Sequence, residues 1–216
     1  MTLEFDGVQF GFDERLLLSG IYLKCETGKI TGLLGRNGSG KSTLLKIAFG
    51  ALRAETLSVR IDGKAILPPA FCSREIIYLP QDSFIPDDLS LSKILKLYEV
   101  SEPSILQSFP ELEHDLSLNA DELSGGRRRL FEVVLVLHSK AAFCLLDEPF
   151  TGLTPVVVER LQEVIQKLKS TKGILITDHL YRQVISLSDT LYLLANGTTH
   201  LIKNKEDLIQ RGYLIE

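Results

Sequence analysis

The chain reads as an α/β protein with a mostly parallel sheet, an N-terminal antiparallel β-subdomain and a small inserted α-helical subdomain. Three observations predict this. Residues 3–5, 8–10 and 20–25 alternate apolar and polar side chains, the period of half-buried strands. Residues 142–146 and 173–177 are short apolar runs that follow helical patterns at 126–138 and 156–170, as expected of parallel strands covered on both faces. Residues 82–122 hold only short helical patterns broken by prolines. With the helix that follows, this insertion spans about 82–138 within a single domain of residues 1–216.

The elements follow in order. Residues 26–29 form a turn, and residues 30–34 a short buried strand. Residues 42–49 carry a helical pattern that Gly50 can stop. A strand at 57–61 ends in the tight turn Asp62-Gly63, and a strand at 76–79 is closed by Pro80. The insertion contributes helices at 90–99 and 102–108. Strands at 190–194 and 198–202 and a helix at 205–211 complete the chain.

Composition bounds the function. The 216 residues are 44% hydrophobic and 24% charged, enough for an ordinary core. The net charge of −4 disfavours a protein that wraps nucleic acid, and the one basic cluster is Arg127, Arg128 and Arg129. Cys25, Cys72 and Cys144 are few and widely spaced, which predicts free thiols in a reducing compartment. Neither a signal-peptide pattern nor an apolar run of about 18 residues is present, so a chain that is soluble by itself is expected.

Chemistry concentrates at residues 35–43, Gly35-Arg36-Asn37-Gly38-Ser39-Gly40-Lys41-Ser42-Thr43. A strand, this glycine-rich turn and a helix make up the phosphate-binding loop of a P-loop NTPase core. Glycines let the backbone curl so that its N–H groups face phosphate oxygens. Lys41 can meet the β and γ phosphates, the Ser42 hydroxyl can ligate Mg2+, and the helix adds its positive end. Farther on, the strand at 142–146 delivers Asp147 and Glu148 at its C-terminal end, where parallel sheets bind ligands. Asp147 suits the metal shell, and Glu148 suits polarising a water.

Leu123-Ser124-Gly125-Gly126 then precedes a helix. This is the LSGG pattern, and with it the chain resembles the ATPases of ABC transporters from about residue 3 to residue 202. The resemblance implies that Ser124, Gly125 and Gly126 meet the γ-phosphate of ATP held by a facing subunit. It implies that Gln81, after Leu79-Pro80, senses Mg2+ and the γ-phosphate, and that His179, after Thr177-Asp178, contacts that phosphate. Phe12 matches the position of the aromatic that stacks on adenine, with Phe10 as a rival that alternation places in the core. Glu148-Pro149-Phe150-Thr151-Gly152 and Arg182 look most similar to ATPases of lipopolysaccharide export and branched-chain amino-acid uptake.

The implied function is an ATP-binding and ATP-hydrolysing subunit that closes head to tail on a second ABC ATPase subunit. Closure drives a separate integral membrane permease. The implied location is cytoplasmic, on the inner face of the membrane through that partner. The alternative is a soluble ABC ATPase acting on a ribosome, DNA or a protein complex; no nucleic acid partner is expected. Two positions and one region depart from the family pattern. Arg127 replaces the usual Gln or Glu and is expected to face either the partner's phosphate or solvent. Thr154 replaces an aspartate that helps communication across the dimer. The helical region before Leu123 is shorter than usual, so a reduced docking surface is expected.

Overall fold

The computed structural model describes residues 1–12, 15–67 and 69–214. In chain order, the first elements are β1 (Thr2–Phe12), β2 (Arg15–Glu26), β3 (Ile30–Leu34), α1 (Lys41–Phe49), β4 (Thr56–Ile61), β5 (Lys64–Ala65) and β6 (Ile76–Leu79). Then come α2 (Leu91–Leu97), α3 (Glu102–Ser108), α4 (Gly125–Leu137), β7 (Phe143–Asp147) and α5 (Pro155–Leu168). The last are β8 (Gly173–Thr177), α6 (Tyr181–Leu187), β9 (Thr190–Ala195), β10 (Thr198–Ile202) and α7 (Lys205–Gln210).

Two sheets result. An antiparallel sheet runs β2-β1-β4-β5, and a six-stranded sheet runs β10-β9-β3-β8-β7-β6. In the second sheet every pairing is parallel except the terminal β9–β10 hairpin. All five residues of β3, β7 and β8 are buried, which explains why these strands read as continuous apolar runs. Side chains of β7 alternate between two cores. Phe143 and Leu145 pack with α1 and the antiparallel sheet, around Phe5, Leu23, Leu45 and Ile47. Cys144 and Leu146 pack on the opposite face with Phe131, Val134, Leu161 and Ile165 of α4 and α5.

Several boundaries differ from the sequence expectations. The two short N-terminal runs form one strand, β1, whose pairing with β2 shifts register around Gly7. An inserted residue of this kind breaks the alternation without breaking the strand. Helix α6 has seven residues and no side-chain cap at its start. It holds its place by burying Val184 and Leu187 over β3, a tertiary contact with weak local pattern. The β4–β5 and β9–β10 turns use Asp62-Gly63 and Asn196-Gly197, all four at positive φ, the backbone twist that tight hairpins require. Among the described residues no helix is long and apolar enough to cross a membrane. Cys25 and Cys144 are buried free thiols, and burial pushes Cys25 up to about 12; Cys72 is exposed.

Candidate functional site

The site forms where β3, β7 and β8 end on the same edge of the parallel sheet. After β3 the chain turns through Gly35 to Gly40 and enters α1 at Lys41. Gly40 caps that helix at φ 102°, a conformation that a side chain would strain. Lys41 is 9% exposed, and its Nζ donates to the carbonyls of Gly35 at 2.8 Å and Arg36 at 3.3 Å. Burial lowers the pKa of this ammonium, while Glu148, Asp147 and Asp178 oppose the shift. The Arg36 guanidinium turns away from Lys41 and donates to the Gly212 carbonyl at 2.8 Å.

At the end of β7 the two acids take different environments. Asp147 is fully buried. Its Oδ1 accepts from Ser42 Oγ at 3.1 Å, and its Oδ2 from the Tyr78 hydroxyl at 3.0 Å. Burial raises its pKa, and these two hydrogen bonds work against that rise. Burial beside Asp147 also raises the Tyr78 phenol, so it stays a donor. Glu148 sits at φ 51°, a left-handed backbone for a residue with a side chain. Its Oε2 accepts from Gln81 Nε2 at 3.2 Å and Thr151 Oγ1 at 3.3 Å, with His179 Nδ1 3.8 Å away.

Leu17, Asn37, Gly38, Gly40, Lys41, Ser42, Thr43, Gln81, Glu148 and His179 line one cavity of about 430 Å³. Residues distant in sequence thus converge on one volume. A second cavity of about 520 Å³, between α6 and α7, contains none of these motif residues. Ser42 Oγ and the Asp147 carboxylate offer adjacent oxygen donors. That fits Mg2+, which takes one or two protein oxygens and completes its shell with phosphates and water. Phe12 lies at the end of β1, but its side chain falls outside the described residues, as does the adenine contact expected of it.

Ser124, Gly125 and Gly126 do not line this cavity. Ser124 caps α4 by accepting from Arg127 N at 3.4 Å, and Ser124 and Gly125 are exposed. A Cβ on Gly126 would lie 2.8 Å from the Gly152 carbonyl oxygen, so a larger residue would push the start of α4 off the 148–154 loop. Thr154 is exposed at the start of α5 and makes no side-chain capping bond.

Each arginine of the run has an acidic partner within the chain. Arg127, expected to face the partner's phosphate or solvent, keeps a side chain 47% exposed to solvent while it pairs with Asp115 at 2.7 Å. Arg128 donates to the Ile85 carbonyl at 2.9 Å and pairs with Asp87 at 2.6 Å.

Arg129 was not singled out by the sequence, and it is buried directly beneath the acids. It donates to the carbonyls of Pro80 at 2.8 Å, Asp147 at 2.6 Å and Glu148 at 3.0 Å, and pairs with Glu132 at 3.4 Å. It therefore holds the backbone before Gln81 against the backbone of both acids. Glu132, 1% exposed, also accepts from Ser83 Oγ and from Phe84 N. Asp178 is a further missed residue. Its buried carboxylate accepts from Phe150 N at 3.0 Å and Leu180 N at 2.9 Å, tying the loop after Glu148 to the one carrying His179. The acid beside His179 in sequence was the available signal for Asp178. Nothing local marks Arg129 among its neighbours.

The family described as ABC transporter matches residues 18–151. A probable ABC transporter ATP-binding protein of Azorhizobium caulinodans is 32% identical over 217 residues, covering 94% of this chain and 77% of that protein. The lipopolysaccharide export system ATP-binding protein LptB of Escherichia coli K12 is 29% identical over 238 residues, covering 100% of this chain and 98% of that protein. A solved ATP-binding subunit of an ABC transporter superimposes with a TM-score of 0.86 at 25% identity, over 99% of this chain and 94% of that one.

Proposed function

The chain belongs to the ABC transporter family as an ATP-binding subunit, and on that footing we propose that it hydrolyses ATP to power transport through a separate membrane permease. The observation that carries the catalytic part is the single cavity shared by Lys41, Ser42, Gln81, Glu148 and His179. The triphosphate lies along the 35–43 loop, with the Lys41 ammonium against its β and γ oxygens. Ser42 and Asp147 would hold Mg2+, and Gln81 would sense it; bound there, the ion would neutralise charge on the transferring phosphoryl group. Glu148 orients the attacking water and takes up its proton, and Gln81 and Thr151 fix the carboxylate that does so. His179, half exposed on the cavity wall and 3.2 Å from Asp178, donates to the γ-phosphate. Catalysis of this kind is mostly positioning and electrostatic stabilisation.

The exposed turn at Ser124, Gly125 and Gly126 serves a second copy. It lies outside its own chain's cavity and opens a helix whose free N–H groups suit a phosphate. Two copies closing head to tail complete two sites, each with a phosphate loop from one and this turn from the other. The likeness to a lipopolysaccharide export ATPase supports a role at the cytoplasmic face, docked on an integral membrane permease.

The test is size-exclusion chromatography of Glu148→Gln with and without ATP·Mg2+, alongside steady-state ATPase. Turnover is expected to fall by roughly 10²–10³-fold with ATP binding retained. An ATP-dependent dimer should form and be lost on adding Ser124→Arg. Unchanged turnover would refute the role of Glu148, and a dimer that tolerates Ser124→Arg would refute the shared site.

A further inference from the structure

Arg127 occupies the first turn of α4, immediately after the Ser124, Gly125 and Gly126 turn. Its backbone N–H reaches Ser124 Oγ at 3.4 Å, a long bond that leaves the turn weakly held by its own cap. The side chain supplies a second anchorage. Nε donates to Asp115 Oδ2 at 2.7 Å and Nη2 to the Glu111 carbonyl at 2.9 Å. Asp115 is 4% exposed, so Arg127 provides the counter-charge of a buried carboxylate. The segment that receives Arg127 is itself fastened to the core. Arg160 of α5 donates to both carboxylate oxygens of Glu111, at 3.2 and 3.1 Å. Its guanidinium also lies 4.8 Å over the ring of fully buried Phe109.

We propose that Arg127 is a positioning residue of the shared ATP site. It clamps the first turn of α4 to residues 111–115, and so aims the Ser124 hydroxyl and the Gly125 and Gly126 N–H groups at the phosphate held by a second copy. The inference rests on the head-to-tail reading above. A group that must meet a phosphate across a subunit boundary has to be held within a fraction of an ångström. An exposed, glycine-rich turn cannot supply that rigidity itself. The clamp lies outside the nucleotide cavity of its own chain, so it acts on closure and not on first binding of ATP.

The experiment separates positioning from charge compensation. Arg127→Gln, Asp115→Asn and the double variant are made in the Glu148→Gln parent. Each is measured for melting temperature, affinity of the monomer for a fluorescent ATP analogue, and dimer dissociation constant with ATP·Mg2+ by analytical ultracentrifugation. Arg127→Gln is expected to lower the melting temperature, because it leaves Asp115 buried and unpaired. The double variant should recover it. Dimerisation should be weakened about tenfold or more in all three variants, because the ion pair between two charged groups is gone from each, with monomer affinity for the analogue unchanged. Recovery of dimerisation together with melting temperature in the double variant would overturn the proposal and leave a structural ion pair. Loss of analogue binding by the monomer would also overturn it. A parent that stays monomeric with ATP would remove the shared-site reading and this inference with it.

Discussion

Asp147 shows how the site trades stability for chemistry at the level of one residue. Its carboxylate is fully buried, and burial raises its pKa despite hydrogen bonds from Ser42 and Tyr78. A carboxyl whose folded pKa lies above its unfolded one stabilises the fold only while protonated. That contribution is complete below the ordinary aspartate range and is lost as pH rises through the folded value. Asp147→Asn should therefore raise the melting temperature of the nucleotide-free protein at pH 7. The gain should shrink toward zero as the pH is lowered to about 4, near the unperturbed aspartate value. Thermal melts of both proteins across this range check the sign, and a gain that grows with acidity would contradict it. The substitution should also remove ATPase activity, since an amide is a poor partner for Mg2+.

Helix α4 carries the site at the level of an element. Its first turn presents Ser124, and its second places Arg129 under Pro80, Asp147 and Glu148. One helix thus links the backbone before Gln81, the acids and the surface turn, while its apolar residues, Phe131 and Val134 among them, anchor it in the core. Arg129→Ala would leave one buried and two partly buried carbonyls without this donor and Glu132 with less of its counter-charge. Urea denaturation should show a loss of about 3–5 kcal/mol, the usual cost of breaking a buried ion pair from one side. A loss below about 1 kcal/mol would mean that these bonds are replaced when the guanidinium is removed, and that Arg129 does not hold the acids in place.

Ligand binding should be visible in the stability of the whole molecule. The cavity proposed for the nucleotide draws its walls from β2, the 35–43 loop and α1, and the ends of β6, β7 and β8. If ATP·Mg2+ occupies the proposed site, it binds a cavity that exists only in the folded chain, and saturating it should stabilise by mass action. At one hundred times the dissociation constant the gain is about 2.7 kcal/mol. For a chain of this size that corresponds to roughly 5–10 °C in melting temperature. Glu148→Gln should show this shift, and Lys41→Ala should lose most of it. An equal shift in both would place the nucleotide elsewhere.

The phosphate loop, the paired acids after a buried strand and the LSGG turn were legible in the sequence because each is local. A loop curling around phosphate needs glycines and a lysine at fixed spacing, whatever surrounds it. The parallel sheet was legible for a similar reason: strands such as β3, β7 and β8, buried on both faces, must be apolar at every position. The tertiary structure alone decided what depends on contacts between distant segments. It joined β1 across Gly7, supported α6 on β3, and brought Arg129 to the carbonyls of Pro80, Asp147 and Glu148. It also paired the exposed Arg127 with the buried Asp115. An arginine carries the same letter whether it faces solvent, a phosphate or a buried carboxylate, and only the fold determines which partner lies within 3 Å of it.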